Sequence, residues 1–259
     1  MEISMETIKK LQKIELEILK VFIQICEKEK LCYYLSGGTL LGAVRHKGFI
    51  PWDDDIDVRM PRADYEKFLL CAPKYLPDYY FLQTHNTEKE SPWIFAKIRD
   101  RRTIYKEYET SDFNINHGVW IDIFPLDYYF HKPFWLDLYH RFLRFRIGYR
   151  LKIKQSLIKR ILRGISCILC PSWNKAVEKQ QNLIRSGKNT SLLTNFNGGK
   201  KDIMPTSWYG SGVDLIFEKI KVKGPNEYEK YLTQLYGNYM QLPPKDKRVP
   251  VHNILEIKL

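Results

Sequence analysis

Between Trp52 and Val58 the chain reads Trp-Asp-Asp-Asp-Ile-Asp-Val, four carboxylates in five residues set among apolar neighbours. Like charges at that spacing repel, and each carboxyl is driven toward its neutral form unless a cation lies between them. If the end of the run is a strand, alternation places Asp53, Asp55 and Asp57 on one side and turns Ile56 and Val58 into a core. Ile50, Pro51 and Trp52 before the run and Met60 after it carry more apolar surface than a solvated turn holds. The pattern points to a site for a hard divalent cation, magnesium or manganese. A calcium loop also takes acids at the positions of Asp53, Asp55 and Asp57, with Asp64 at its twelfth place. Such a loop needs glycine where Val58 stands and glutamate at its end.

With 259 residues the chain can bury a sizeable core, and no repeat, low-complexity tract or Gly/Ser linker divides it. A core over 1–130 carrying a mostly helical elaboration over 131–259 is expected. Lys and Arg outnumber Asp and Glu 42 to 30, a net charge of +12. That balance favours anionic partners: phosphorylated metabolites, nucleic acid or an anionic membrane face. Five cysteines at irregular spacing argue for a reducing compartment, hence the cytoplasm. Met1 to Lys30 is helical in period and broken by Lys and Glu, which fits no cleavable signal. No stretch is apolar for long enough to span a membrane.

Cys32 to Ser36 reads as a strand stopped by Gly37-Gly38, and Thr39 to Arg45 as a short helix. Two glycines before a helix let backbone approach an anion, and the helix start offers it N–H groups. The spacing matches neither a dinucleotide fingerprint nor a Walker loop. Pro61 opens a helix through Leu70. Tyr79–Gln83, Ile94–Arg99, Thr103–Lys106 and Gly118–Phe124 have strand composition, giving an α+β fold with a mixed sheet and flanking helices. Asp122 sits inside an apolar strand and needs a partner. Arg99 in an ion pair, or a role as a third metal or base carboxylate, would each supply one. Asp127, just past Pro125, reads as a turn residue or helix cap.

Phe134 to Leu169 alternates apolar residues with Arg141, Arg144, Arg146, Arg150, Lys152, Lys154, Lys159, Arg160 and Arg163. This suits a surface-lying amphipathic element touching anionic head groups, or an ordinary solvated helix face. Cys167 and Cys170 have zinc-knuckle spacing without a second pair, so thiols facing core or lipid are expected. Then come a helix to Arg185, a polar stretch at Asn197-Gly198-Gly199-Lys200, a strand near Glu218 to Val222, and a helix between Pro225 and Gly237. Lys247, Arg248 and His252 follow Pro243-Pro244, either as a phosphate-holding platform or as a charged terminus.

Gly-Gly, a short helix, the Asp55-Ile56-Asp57 strand and the later Ile121-Asp122-Ile123 strand resemble the nucleotidyltransferase fold shared with DNA polymerase beta. More residues than usual separate Gly38 from Asp55. Tyr34-Leu35-Ser36-Gly37-Gly38-Thr39-Leu40-Leu41-Gly42-Ala43-Val44-Arg45-His46 and Gly48-Phe49-Ile50-Pro51-Trp52-Asp53-Asp54-Asp55-Ile56-Asp57-Val58 are similar to the signature of the LicD family, related to the fukutin proteins. Lys97–Asp100, Gly118–Asp127 and Tyr236–Arg248 also resemble LicD segments, so the likeness spans the chain as one LicD-type domain. Ser36 replaces another small or acidic residue common in the family.

The resemblance implies transfer of phosphocholine from CDP-choline to a sugar of a bacterial surface glycan, whether capsule, teichoic acid or lipopolysaccharide, with release of CMP. Asp55 and Asp57, assisted by Asp53 and completed by Asp122, would hold the metal, and Asp122 could take the acceptor's proton. Gly37, Gly38 and Thr39 would donate to phosphate, with Arg45, Lys97 and Arg99 as cations. Lys247, Arg248 and His252 would assist. Trp52, Trp93, Trp120 and Tyr105 are candidates for a choline cage. Another CDP-alcohol carrying ribitol phosphate, glycerol phosphate or phosphoethanolamine fits the same residues. The acceptor would be a lipid-linked or nucleotide-linked saccharide, met in the cytoplasm or at the inner face of the plasma membrane. A nucleic-acid-binding or nucleotide-adding protein is the alternative from another class. Nucleic acid is not the expected partner, because the basic residues are laced with Leu and Ile rather than exposed aromatics.

Overall fold

The computed structural model describes residues 3–129, 134–153, 156–185, 190–195 and 199–259. Lys154 of the basic stretch and Asn197-Gly198 lie outside the described residues. In chain order the elements are α1 (Met5–Glu29), β1 (Tyr34–Leu35), α2 (Gly37–Arg45), β2 (Asp57–Pro61), α3 (Arg62–Cys71), β3 (Tyr80–Gln83), β4 (Ala96–Asp100), β5 (Ile104–Glu107) and β6 (Val119–Tyr128). They continue with α4 (Phe134–Ile147), α5 (Leu157–Leu169), α6 (Trp173–Arg185), β7 (Leu192–Thr194), β8 (Met204–Pro205), β9 (Val213–Phe217), β10 (Ile220–Gly224), α7 (Tyr228–Tyr236) and β11 (Ile254–Lys258).

The main sheet runs β1-β2-β6-β4-β3, with β7 on the far end of β6 and β8 on β7. β2 and β6 are parallel and the other pairs antiparallel, so the sheet is mixed, as expected. Register fixes the chemistry of its faces. Gln83, Lys97, Asp122 and Asp57 form one row across β3, β4, β6 and β2. The adjacent row, Ala96, Ile123 and Val58, points to the other face and is fully buried.

That apolar face is covered by α1 and α3. α1 starts at Ser4, whose hydroxyl accepts from the Thr7 N–H, and stops at Lys30 in a left-handed conformation. Its stripe of Leu11, Ile18 and Phe22 is wholly buried, and the Phe22 ring meets Phe68 of α3 at 5.1 Å. Complete burial of each such side chain contributes about 2–3 kcal/mol before chain entropy is subtracted.

Two expectations are corrected, on Asp127 and on the strand near Glu218. Asp127 is neither turn nor cap: β6 runs on past Pro125, and Asp127 accepts from the Arg62 guanidinium through both oxygens, at 2.7 and 2.6 Å. Proline is tolerated because pairing with β4 stops at Ile123. Among the described residues, 131–259 hold four helices and five short strands, the last of them β11, past His252 and paired with β5. The strand near Glu218 is two strands, because β9 and β10 turn at Glu218-Lys219.

Candidate active site

The polar row opens where β1, α2 and β2 meet. Gly37 has φ +55°, and a Cβ there would stand 2.9 Å from Asp57 Oδ2. One on Gly38 would stand 2.7 Å from Asp53 Oδ2. Two residues without side chains therefore let the positive end of α2 settle on two carboxylates. The Gly37 N–H donates to Tyr231 Oη at 3.4 Å. Thr39, buried, accepts the Asp57 N–H on its hydroxyl at 2.8 Å and so fixes where β2 begins.

The acids of the run divide by what holds them. Asp54 is fully buried and saturated. Its carboxylate accepts from Tyr105 Oη at 2.9 Å, from the Val251 and His252 N–H groups at 3.1 and 3.2 Å, and lies 3.3 Å from His252 Nδ1. This ties the C-terminal segment to the acidic run. Asp53, Asp55 and Asp57 crowd together without such donors, with carboxylate oxygens of Asp53, Asp54 and Asp55 all within 4.8 Å of one another. Burial, then Asp55 and Asp54, pushes Asp53 up to about 8. Burial also lifts Asp55, to about 6, against the pull of His252. Burial, Asp55 and Asp122 hold Asp57 well above the usual carboxylate range. Three carboxylates that resist ionising together fit a divalent cation, whose charge would remove the repulsion.

Asp122 and Lys97 meet at 2.7 Å, so the partner of the strand acid is Lys97 rather than Arg99. The Lys97 ammonium also lies 4.3, 5.1 and 5.3 Å from the ring centres of Trp120, Trp93 and Phe95. Two of the four aromatic candidates for a choline cage thus surround the chain's own cation. Tyr105 is engaged by Asp54, and Trp52 faces Arg248 at 5.7 Å. Arg99 is fully buried, donating to Gln83 Oε1 and the Gly118 carbonyl at 2.7 and 2.8 Å, and is closed to a substrate.

Arg45 donates to the Tyr239 carbonyl at 2.9 Å, and Arg248 to that of Pro243 at 2.9 Å. The two guanidiniums feel each other's charge, with Asp53 in reach of Arg45. His252 stands edge-on to Trp120 at 5.3 Å. Burial opposes its charging, but the Asp54 hydrogen bond and the charge of Asp55 raise it to about 10. Lys247 is exposed and makes no side-chain bond to the acidic residues among those described.

Two residues escaped the sequence analysis. Tyr236 reaches the acids, its phenol pushed up by burial and then by Asp57 and Asp53. Glu15 of α1 is buried, and its Oε2 has no hydrogen-bond partner. Burial first, then Asp55, raises it well above normal. Its signal was present in the sequence, since Glu15 falls on the same helical stripe as Leu11, Ile18 and Phe22.

The LicD/FKTN/FKRP nucleotidyltransferase-domain family matches residues 30–147, the stretch that supplies Gly37 through Asp122. Lipopolysaccharide cholinephosphotransferase LicD of Haemophilus influenzae is 32% identical over 95% of this chain and 96% of its own. The chain belongs to the LicD family. A shorter likeness joins this LicD chain to the human ribitol 5-phosphate transferase FKRP, 43% identical over 42 residues, 16% of this chain and 8% of that protein. An uncharacterized protein of Rickettsia typhi is 30% identical over 44% of this chain and 38% of its own. Among the described residues of this LicD protein, no helix is long and apolar enough to cross a membrane.

The crowding has a measurable sign. Asp55 and Asp53 bind protons more tightly folded than unfolded, so the stability they contribute is complete below about pH 4. It is lost as pH rises through about 6 and then 8. His252, raised to about 10, acts in the same sense above its ordinary value. In chelator the melting temperature should fall between pH 5 and 8, by up to about 1.4 kcal/mol of stability per pH unit for each group. Magnesium should restore it most at the alkaline end. Melting curves with no pH slope in chelator would remove the argument for crowding.

Proposed function

We propose that this LicD protein has a nucleotidyltransferase-type fold and transfers phosphocholine from CDP-choline to a sugar of a bacterial cell-surface glycan. The supporting observation is the row Asp57–Asp122–Lys97, with Asp53 and Asp55 beside it and the Gly37-Gly38 start of α2 above it. The full-length likeness to a protein named a lipopolysaccharide cholinephosphotransferase supplies the cargo. That name favours lipopolysaccharide over capsule or teichoic acid.

Asp55 and Asp57, with Asp53 and Asp122 alongside, are the residues that would hold magnesium or manganese. That ion would neutralise charge on the donor pyrophosphate and on departing CMP. Arg45, Arg248 and the imidazolium of His252 border the same acids and offer charge-assisted donors to the phosphates, with Lys247 at the rim. The acceptor hydroxyl oxygen attacks the choline-bearing phosphorus in line. The bond from that phosphorus to the bridging oxygen breaks, and its electron pair leaves with CMP. Asp122, positioned by Lys97, takes the hydroxyl proton as the new P–O bond forms. No covalent enzyme intermediate is needed. A cytoplasmic setting, beside nucleotide-activated donors, belongs to the same proposal.

The likeness to FKRP keeps ribitol phosphate as the second cargo. Competition separates them: CDP-choline, CDP-ribitol, CDP-glycerol and CDP-ethanolamine are supplied together with magnesium and a lipopolysaccharide acceptor. Phosphocholine should dominate the product. Dominance of another alcohol phosphate would change the cargo and keep the site, and no product from any donor would overturn both.

A further inference from the structure

The apolar face of α5 points away from the protein. Leu157, Ile158, Ile161, Ile165, Ile168 and Leu169 are 45–79% exposed. The polar side packs inward instead: Ser166 is fully buried, and Arg163 lies so close to Gly148 that a Cβ there would stand 2.8 Å from Nη2. An amphipathic helix of a globular protein ordinarily does the reverse. The helix is also firmly held, because Arg146 of α4 donates to the Cys170 and Pro171 carbonyls just past its end, each at 2.6 Å. Its outward face is therefore a built surface.

Charge identifies what covers that face. Between Asp137 and Glu178 the sequence carries ten lysines and arginines and no carboxylate. Lys159 and Arg160 are exposed on α5 itself. Arg141, Arg150 and Lys152 are paired with Asp137, Glu90 and Asp112, and Arg146 is buried, so Lys159 and Arg160 are the exposed cations set among the branched aliphatic side chains of α5, a combination that matches the boundary between acyl chains and anionic head groups. At 13 residues α5 is about 20 Å long, too short to span but suited to lie in that plane.

We infer that α5 is a docking helix that sinks its apolar face into an anionic bilayer. An open groove of about 1150 Å³ is lined by Phe134, Lys159 and Arg163 on this side and by Trp93 and Phe95, the rings around Lys97, on the other. The groove thus runs from beneath α5 to rings that pack on Lys97, the partner of Asp122. An acceptor carried in the membrane would reach Asp122 along it, a consequence that rests on the proposed transfer, whereas docking does not.

The full chain is floated with vesicles of equal parts phosphatidylglycerol and phosphatidylcholine. Wild type should float, and Ile161→Glu with Ile165→Glu should lower the bound fraction about tenfold or more at an unchanged melting temperature. Lys159→Glu with Arg160→Glu should weaken binding comparably at low salt, as should vesicles of phosphatidylcholine alone. Failure of the wild type to float, or flotation of the Ile161/Ile165 variant at the wild-type level, overturns the inference. So does a solution dimer that the same variant turns into a monomer, since a second copy then covers the face. Flotation without transfer from any CDP-alcohol removes the proposed function alone, and transfer without flotation removes docking alone.

Discussion

Asn in place of Asp57 should lower transfer about a thousandfold or more while leaving the chain folded and, in chelator, more stable than wild type. The two effects have one cause. Asp57 is held well above its ordinary range by burial, Asp55 and Asp122, so an uncharged isostere relieves repulsion that otherwise needs a bound cation or a bound proton to cancel it. Each kcal/mol relieved is worth about 2–4 °C in a chain of this size. Asp55→Asn should behave alike. Gly38→Ala should reproduce the loss of activity without removing a carboxylate, because its Cβ would stand 2.7 Å from Asp53 Oδ2 and push that group or the start of α2 away. Turnover and thermal melting on the same samples check all three. A variant at Asp57 that keeps full turnover, or that loses it only by unfolding, would contradict the assignment.

Ala in place of Asp54 should do the opposite, destabilising the fold by about 3–5 kcal/mol. The fully buried carboxylate accepts from Tyr105 Oη and two backbone N–H groups and stands 3.3 Å from His252 Nδ1 as its counter-charge, and its removal leaves all of them without it. The C-terminal segment should then detach from the acidic run, freeing the backbone around Val251 and His252 for protease cleavage, and the imidazolium would leave the site. Transfer should fall as well, and the loss should track the loosened segment. Urea unfolding with limited proteolysis measures both. Wild-type stability with an intact C-terminal segment would show that Asp54 is no anchor.

The contrast between neighbours only one residue apart shows what the sequence could disclose. Alternation along the run sets Asp54 on the side away from Asp53 and Asp55, whereas the carboxylate oxygens of all three lie within 4.8 Å of one another, because β2 begins only at Asp57; hydrogen bonding, not strand face, distinguishes Asp54. Which cation meets Asp122 was not legible. Lys97 and Arg99 lie on the same face of β4, and only register decides: Lys97 pairs with Asp122, while Arg99 sits one rung away beside Trp120. The hairpin of β9 and β10 escaped because its turn residues, Glu218 and Lys219, both adopt positive φ without the Asn or Gly that marks such turns. β11 escaped for another reason, since its pairing with β5 is a contact across the length of the chain that no local pattern encodes.

The most direct measurement follows CDP-choline by phosphorus NMR in the presence of this protein, a lipopolysaccharide acceptor and magnesium. Loss of the pyrophosphate signals should be matched by CMP and a new phosphodiester, and should stop on chelation or with Asp57→Asn. Equal conversion in chelator, or equal conversion by the Asp57 variant, would contradict a metal-dependent transfer carried by the acidic row.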